Sequence, residues 1–279
     1  MPTRRATLAA LAGLPLALPA LAQGWAPSRP LRMVVPYAPG GGADTTARLL
    51  AGPMSAVLGQ TVVVENRGGA GGSIGAGEVA RAAPDGHTVM LDALGHVSTP
   101  VLLRGLTFDY ATAFAPITQL TTLPQIMIAH RNAPYSTLAE FIAFARARPG
   151  QLTYGSSGNA TAAHLASVAL LRRAGLDVQH SPYRGGGPAL QDLLTGSLAF
   201  VFATVSSSTQ LVRAGTVKAL GVSTAARIAA LPEVPTIAEQ GFAGFELNEW
   251  NGFYAPAATP APAIAALREA VLAALRDEG

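Results

Sequence analysis

The run Val34-Val35-Pro36-Tyr37-Ala38-Pro39-Gly40-Gly41-Gly42-Ala43-Asp44-Thr45-Thr46-Ala47-Arg48-Leu49-Leu50 constrains the fold of this chain more than any other. It reads as a buried strand, a sharp glycine turn and a helix that starts at once. Three successive glycines permit backbone angles and close approaches that a Cβ forbids. Ala43 to Leu50 is rich in helix formers, and Asp44 suits a first turn or N-cap. The first helical turn leaves N–H groups unpaired at the positive end of the helix dipole. A glycine loop feeding such a turn is a small anion site made of backbone. The same run without a ligand is a tight strand-to-helix connection, so alone it leaves both readings open.

The unit recurs. Thr61 to Glu65 is a β-branched strand running into the glycine loop Asn66 to Gly77 and a short helix to about Ala82. Leu152 to Gly155 leads into Ser156-Ser157-Gly158-Asn159-Ala160-Thr161 and a helix from Ala162 to Ala174. Val178 to Pro182 leads into Tyr183-Arg184-Gly185-Gly186-Gly187-Pro188, with Pro188 where a helix begins. Strands are further expected at Thr88 to Asp92, Leu198 to Ala203 and Val217 to Val222, and helices at Leu138 to Ala145, capped by Ser136 or Thr137, and at Ala263 to Arg276. Pro53 should kink or restart the first helix. Strands alternating with helices through glycine turns predict parallel α/β sheets. Phe114 to Leu120 and Gln125 to Ala129 mark the chain leaving one domain for another, and Glu246 to Ala255 the return.

The 279 residues are 49% hydrophobic, enough for two medium α/β domains. Residues 1–22 read as a secretory signal peptide: Thr3-Arg4-Arg5, the apolar run Leu8 to Leu18, and a cleavage site at Ala20-Leu21-Ala22. Paired arginines fit either the twin-arginine or the general export route. The chain is therefore expected in the periplasm, cleaved after Ala22. Without Arg4 and Arg5, 17 of the 19 basic residues remain against 16 acidic ones, with no basic cluster longer than a pair, which argues against nucleic acid. The absence of cysteine excludes disulfides and thiol chemistry.

Catalytic motifs are scarce. Lys218 is the only lysine, and no Gly-Lys pair exists for a nucleotide-binding P-loop. Gly71-Gly72-Ser73-Ile74-Gly75 matches the serine-hydrolase elbow, but a small-residue loop separates it from its strand. His87, His96, His130, His164 and His180 show no ligand spacing, so neither metal nor cofactor is expected. His164 follows the third turn, and Arg184 could offer a cation to an acid. Neutral glycine and serine turns at strand ends gather at the carboxyl edge of an open sheet. Two such edges facing each other suit a carboxylate or a small polar solute held through water.

The ordered set of motifs resembles the solute-binding receptors of tripartite tricarboxylate transporters, the Bug family. It comprises Val35 to Asp44, Val64 to Gly72, Pro84-Asp85-Gly86-His87-Thr88, Tyr154 to Asn159, Pro182-Tyr183-Arg184-Gly185, Asp192 to Gly196 and Leu231 to Thr236. The resemblance implies a type II periplasmic-binding-protein architecture: two doubly wound α/β domains joined by a hinge. Domain 1 would span 23–124 plus 246–279, C-terminally shortened relative to the family, and domain 2 would span 125–245. A non-catalytic monomer would close on a small carboxylate through backbone amides and ordered water. It would pass the acid to membrane permease subunits or a sensor protein. The matching positions are Tyr37, Ala38, Pro39, Gly40, Gly41, Gly42 and Asp44; Gly71, Gly72 and Ser73; Ser156, Ser157, Gly158, Asn159, Ala160 and Thr161; and Thr204. Two departures bear on the site. Ala160 and Thr161 stand where the family has glycine and serine. Ala199 and Ala203 stand where it has acidic residues, removing a polar partner for an amine or a water.

Overall fold

The computed structural model describes residues 24–276; the expected signal peptide lies outside the described residues. In chain order the first part contains β1 (Leu31–Val35), α1 (Gly42–Leu58), β2 (Val62–Asn66), a single 3-10 turn (Ala70–Gly72), α2 (Ser73–Ala80), β3 (Thr88–Ala93), α3 (Gly95–Leu102), α4 (Tyr110–Ala113) and β4 (Phe114–Leu123). The chain then crosses to β5 (Gln125–His130), α5 (Leu138–Arg146), β6 (Thr153–Ser156), α6 (Ala162–Ala174), β7 (Gln179–Pro182), α7 (Gly186–Thr195), β8 (Phe200–Thr204), α8 (Val205–Arg213) and β9 (Val217–Val222). It returns with β10 (Glu249–Pro256) and α9 (Ala261–Ala274).

These strands form two five-stranded sheets, ordered β2-β1-β3-β10-β4 and β7-β6-β8-β5-β9. The molecule is thus two α/β domains, but the sheets are mixed rather than parallel. β1 pairs in parallel with β2 and β3, whereas β10 runs antiparallel to β3 and β4. In the second sheet β6 pairs in parallel with β7 and β8, and β5 is antiparallel to β8 and β9. The reversed strands are those entering a lobe at the crossover. A strand entering a lobe and its neighbour leaving by the same end must point opposite ways.

Each sheet is covered on both faces. Helices α1 and α9 bury Leu50, Met54, Leu267 and Val271 against Leu31, Met33, Val89 and Phe253. Val34 and Met90 face the other way, onto Val79, Tyr110 and Phe114. Double coverage explains why β3 is buried along its whole length instead of alternating. The second sheet likewise separates a Phe141, Phe200, Phe202 and Leu170 cluster from one built on Ile126, Leu190, Leu193 and Val201. Burying a large apolar side chain in such a core stabilises by about 1.5–3 kcal/mol.

Helix α1 does not restart at Pro53 but runs through it for 17 residues. Proline removes the N–H that would bond to the carbonyl of Leu49. Leu49 is 69% exposed, so water can satisfy that carbonyl, while buried Met54 anchors the next turn.

Candidate functional site

The N-terminal turns of four helices meet around one cavity between the lobes. Its wall includes Gly41, Gly42 and Ala43 at the start of α1, Ser157 and Ala163 at α6, Gly186 at α7, and Thr204 and Ser207 at α8. Tyr37, Ala93, Gln125, Leu190, Val201, Phe202, Ala203 and Glu249 complete it. Each helix start presents partial positive charge and unpaired N–H groups. The volume is about 40 Å³, room for two or three waters.

The loop after β1 is held by a polar brace. Asp44 accepts from Gly40 N at 3.0 Å, from Asn66 Nδ2 at 2.9 Å and from Arg48 Nε at 3.0 Å. Asn66 Nδ2 also reaches Tyr37 O at 3.0 Å. Burial works to raise the Asp44 carboxyl, but Arg48, Gly40 and Asn66 outweigh it and hold it below its ordinary value. Asp44 therefore shapes the loop and does not line the cavity. Gly42 must be glycine: a Cβ there would lie 2.6 Å from Thr204 Oγ1.

The second lobe's turn is built the same way. Ser156 Oγ accepts from Gly158 N at 3.2 Å and lies 2.7 Å from His180 Nε2. Thr161 caps α6, accepting from His164 N, and its hydroxyl donates to Gly158 O at 2.7 Å. Ala160 adopts a left-handed φ of 64°, a strain of about 1–2 kcal/mol for a residue with a Cβ. The N–H of Ala160 donates to His164 Nδ1 at 3.2 Å, so His164 braces the turn as a neutral acceptor. Within this set Ser157 lines the cavity, while Ser156, Gly158, Ala160 and Thr161 shape the turn.

Glycine turns from the two lobes press together beside the cavity. Ala38 N donates to Arg184 O at 2.8 Å, and Ser98 Oγ to Ala160 O. A Cβ on Gly187 would sit 2.0 Å from Pro39 O, and one on Gly71 2.6 Å from Asn159 O. Ala38, Pro39, Gly40, Gly71 and Asn159 thus meet the opposite lobe, and Gly72 packs behind Tyr37. The arrangement is a closed cleft.

Ser73 is not brought to this cleft. It lies on a separate groove with Ile74, Gly77 and Arg81, and its hydroxyl donates to Ala70 O at 2.9 Å. Lys218 is a structural clamp, donating to Ala133 O and Tyr135 O. Arg184 is exposed and meets the other lobe through its backbone. Among the described residues no group of three His, Cys, Asp or Glu could hold a metal ion.

Three polar side chains in the wall were not among the residues singled out from sequence: Ser207 on α8, Gln125 and Glu249. Gln125, first residue of β5, is 2% exposed, and its Nε2 has no partner among the described residues. Glu249, first residue of β10, is 8% exposed, and its Oε1 accepts from Leu94 N at 2.7 Å and Trp250 N at 3.0 Å. Burial pushes the Glu249 carboxyl up to about 7, with nearby Asp92 adding to the rise. Asp92 itself accepts from Tyr37 Oη at 3.0 Å and lies 3.0 Å from His96 Nδ1. The missed signal was Glu249 and Asn251 at alternate positions of one strand, both facing inward.

A model of the tripartite tricarboxylate transporter family receptor matches residues 46–278. The chain belongs to that family. It is a solute-binding protein, not an enzyme, which removes the Ser73 hydrolase reading. A protein of Pseudomonas sp. strain P51, from the tcbD-tcbE intergenic region, is 40% identical over 235 residues, covering 84% of this receptor and 70% of the relative. The structure of the periplasmic binding protein BugD superposes with a TM-score of 0.87 at 36% identity, over 90% of this chain and 84% of that one. MatC from Rhodopseudomonas palustris with bound malate gives 0.86 at 35% identity, over 90% and 86%. An R. palustris protein with adipate gives 0.85 at 34%, over 88% and 82%.

Proposed function

We propose that this protein is a periplasmic receptor that captures a small carboxylate between its lobes and delivers it to the permease of a tripartite tricarboxylate-type transporter. The observation behind this reading is the convergence of four helix N-termini on one buried cavity with no basic side chain in its wall. Such a site recognises an anion through backbone and hydroxyl donors. Malate and adipate in two related structures fit the same chemistry. The proposed domains are 23–124 with 246–279, and 125–245, hinged where β4 passes to β5 and where the chain returns to β10. At about 40 Å³ the closed cavity falls far below the roughly 300–1,000 Å³ of ligand pockets. Entry therefore needs the lobes to part, and the acid shifts the equilibrium back toward closure.

The test is thermal unfolding of the purified protein with mono-, di- and tricarboxylates, aromatic acids and neutral sugars. An acid at 100 times its Kd should add roughly 2.7 kcal/mol to the folded state. Stabilisation by a neutral sugar alone would refute the carboxylate reading.

A further inference from the structure

Glu249 stands in the cavity wall with its charge unanswered. Oε1 takes both backbone donors, from Leu94 and Trp250, while Oε2 has no partner among the described residues. Neither lysine nor arginine lines the cavity. On the first-lobe side the titratable groups facing Glu249 are Asp92 on β3 and Tyr37 after β1, with His96 on α3, Tyr110 on α4 and Tyr254 on β10 grouped behind Asp92. The second lobe offers only neutral groups, Gln125, Ser157, Thr204 and Ser207.

A carboxylate entering this space meets a second carboxyl with no cation between them. Two carboxylates in one buried site cannot both remain ionised, so the pair keeps a proton. The geometry says where that proton goes. Both backbone N–H groups already point at Oε1, which leaves Oε2 as the hydroxyl. The orphaned Nε2 of Gln125 supplies a second donor in the same cavity.

We propose that Glu249 binds the acid in its protonated form, Oε2–H donating to one ligand oxygen while Gln125 Nε2 donates to the ligand as well, so that each capture takes up one proton. The proton comes from solvent onto Glu249 as the lobes close and returns to solvent on release. Independently of ligand, burial already holds this carboxyl near neutrality, at about 7. An anion alongside raises it further. The inference rests on the carboxylate reading above and adds to it a pH dependence: the receptor holds its cargo more tightly in acidic surroundings. It also puts a polar group into the wall where Ala203 supplies none, whereas Ala199 lies on a separate groove with His130 and Tyr135.

The experiment is calorimetric titration with malate, succinate, adipate and glutamate from about pH 7 to about pH 9, where these acids' carboxyls are ionised. Repeating each titration in two buffers of different ionisation enthalpy counts the protons. The wild-type protein should take up close to one proton per acid above neutrality, and its affinity should fall about tenfold per pH unit. Glu249→Gln places an amide N–H where the proposal puts Oε2–H. It should flatten the profile, abolish proton uptake and bind at least about tenfold more tightly than wild type at pH 9. Acid binding that is independent of pH, without proton uptake, overturns this proposal and leaves the carboxylate reading intact. Wild-type affinity that rises with pH and collapses in Glu249→Gln also overturns it, since an ionised Glu249 would then be accepting from the ligand. Failure of every acid to bind, in both proteins, overturns the carboxylate reading and this proposal with it.

Discussion

Glu249→Gln should change the stability of the unliganded protein in a way that depends on pH with a known sign. The wild-type carboxyl is raised from 4.5 to about 7 by burial. Between those values the folded state binds more protons than the unfolded one, so stability falls as pH rises. The contribution is complete below about pH 4.5 and lost by the time pH passes 7. At roughly 1.4 kcal/mol per pH unit the loss is about 3 kcal/mol. Glutamine keeps an oxygen for the N–H groups of Leu94 and Trp250 but has nothing to ionise. Groups common to both proteins cancel in the comparison. The variant should therefore gain about 3 kcal/mol on wild type between pH 4.5 and pH 8, read by urea unfolding across that range. A difference between the two that does not vary with pH would refute the reasoning. It would mean that Glu249 ionises freely, and that the cavity is wetter than its geometry indicates.

Gly187→Ala should hold the lobes apart, because its Cβ would lie 2.0 Å from Pro39 O. Affinity for the acid should fall at least about tenfold, with a larger radius in solution scattering and an unchanged melting temperature. Asp44→Ala should cost about 1–3 kcal/mol, since it removes the buried acceptor that Gly40 N, Asn66 Nδ2 and Arg48 Nε share. Because the Asp44 carboxyl is held below its ordinary 3.8, that difference should be complete above about pH 4 and shrink as pH falls below it, measured by unfolding in acid. His180 is pushed down to about 4 by burial and by His164 stacked 4.3 Å away. Its contribution is complete above pH 6.5 and lost as pH falls towards 4, so His180→Gln should remove that part of the acid sensitivity, again by unfolding against pH.

The fold was legible where a local rule and the tertiary structure agree. Ala162 to Ala174 is helix over its expected span because Thr161 caps it and Gly175 ends it in a left-handed turn. Helix α8 left no such trace. Val205–Arg213 is rich in serine and threonine, weak helix formers, and Ser207, Ser208 and Thr209 turn their hydroxyls back onto the carbonyls of Thr204 and Val205. Helix α3 was hidden by Gly95 and Pro100. For the site, the glycine and serine turns were readable because close approach demands small residues, as at Gly42 against Thr204. Which of them face the cavity was not readable. Asp44 and Ser156 occupy the same motifs as Gly41 and Ser157, yet they hold the loops from behind. Gln125 and Glu249 were missed because a polar residue at the start of a strand resembles any solvated edge until the opposite lobe covers it.

The most direct test of the receptor reading is equilibrium titration of the purified protein with C4 to C6 carboxylates beside glucose and maltose. At least one acid should bind at a single site, and a valine at Gly42, whose side chain would run into Thr204, should abolish that binding while the protein still unfolds cooperatively. Binding of a neutral sugar with no response to any acid, or acid binding untouched by the valine, would contradict the account.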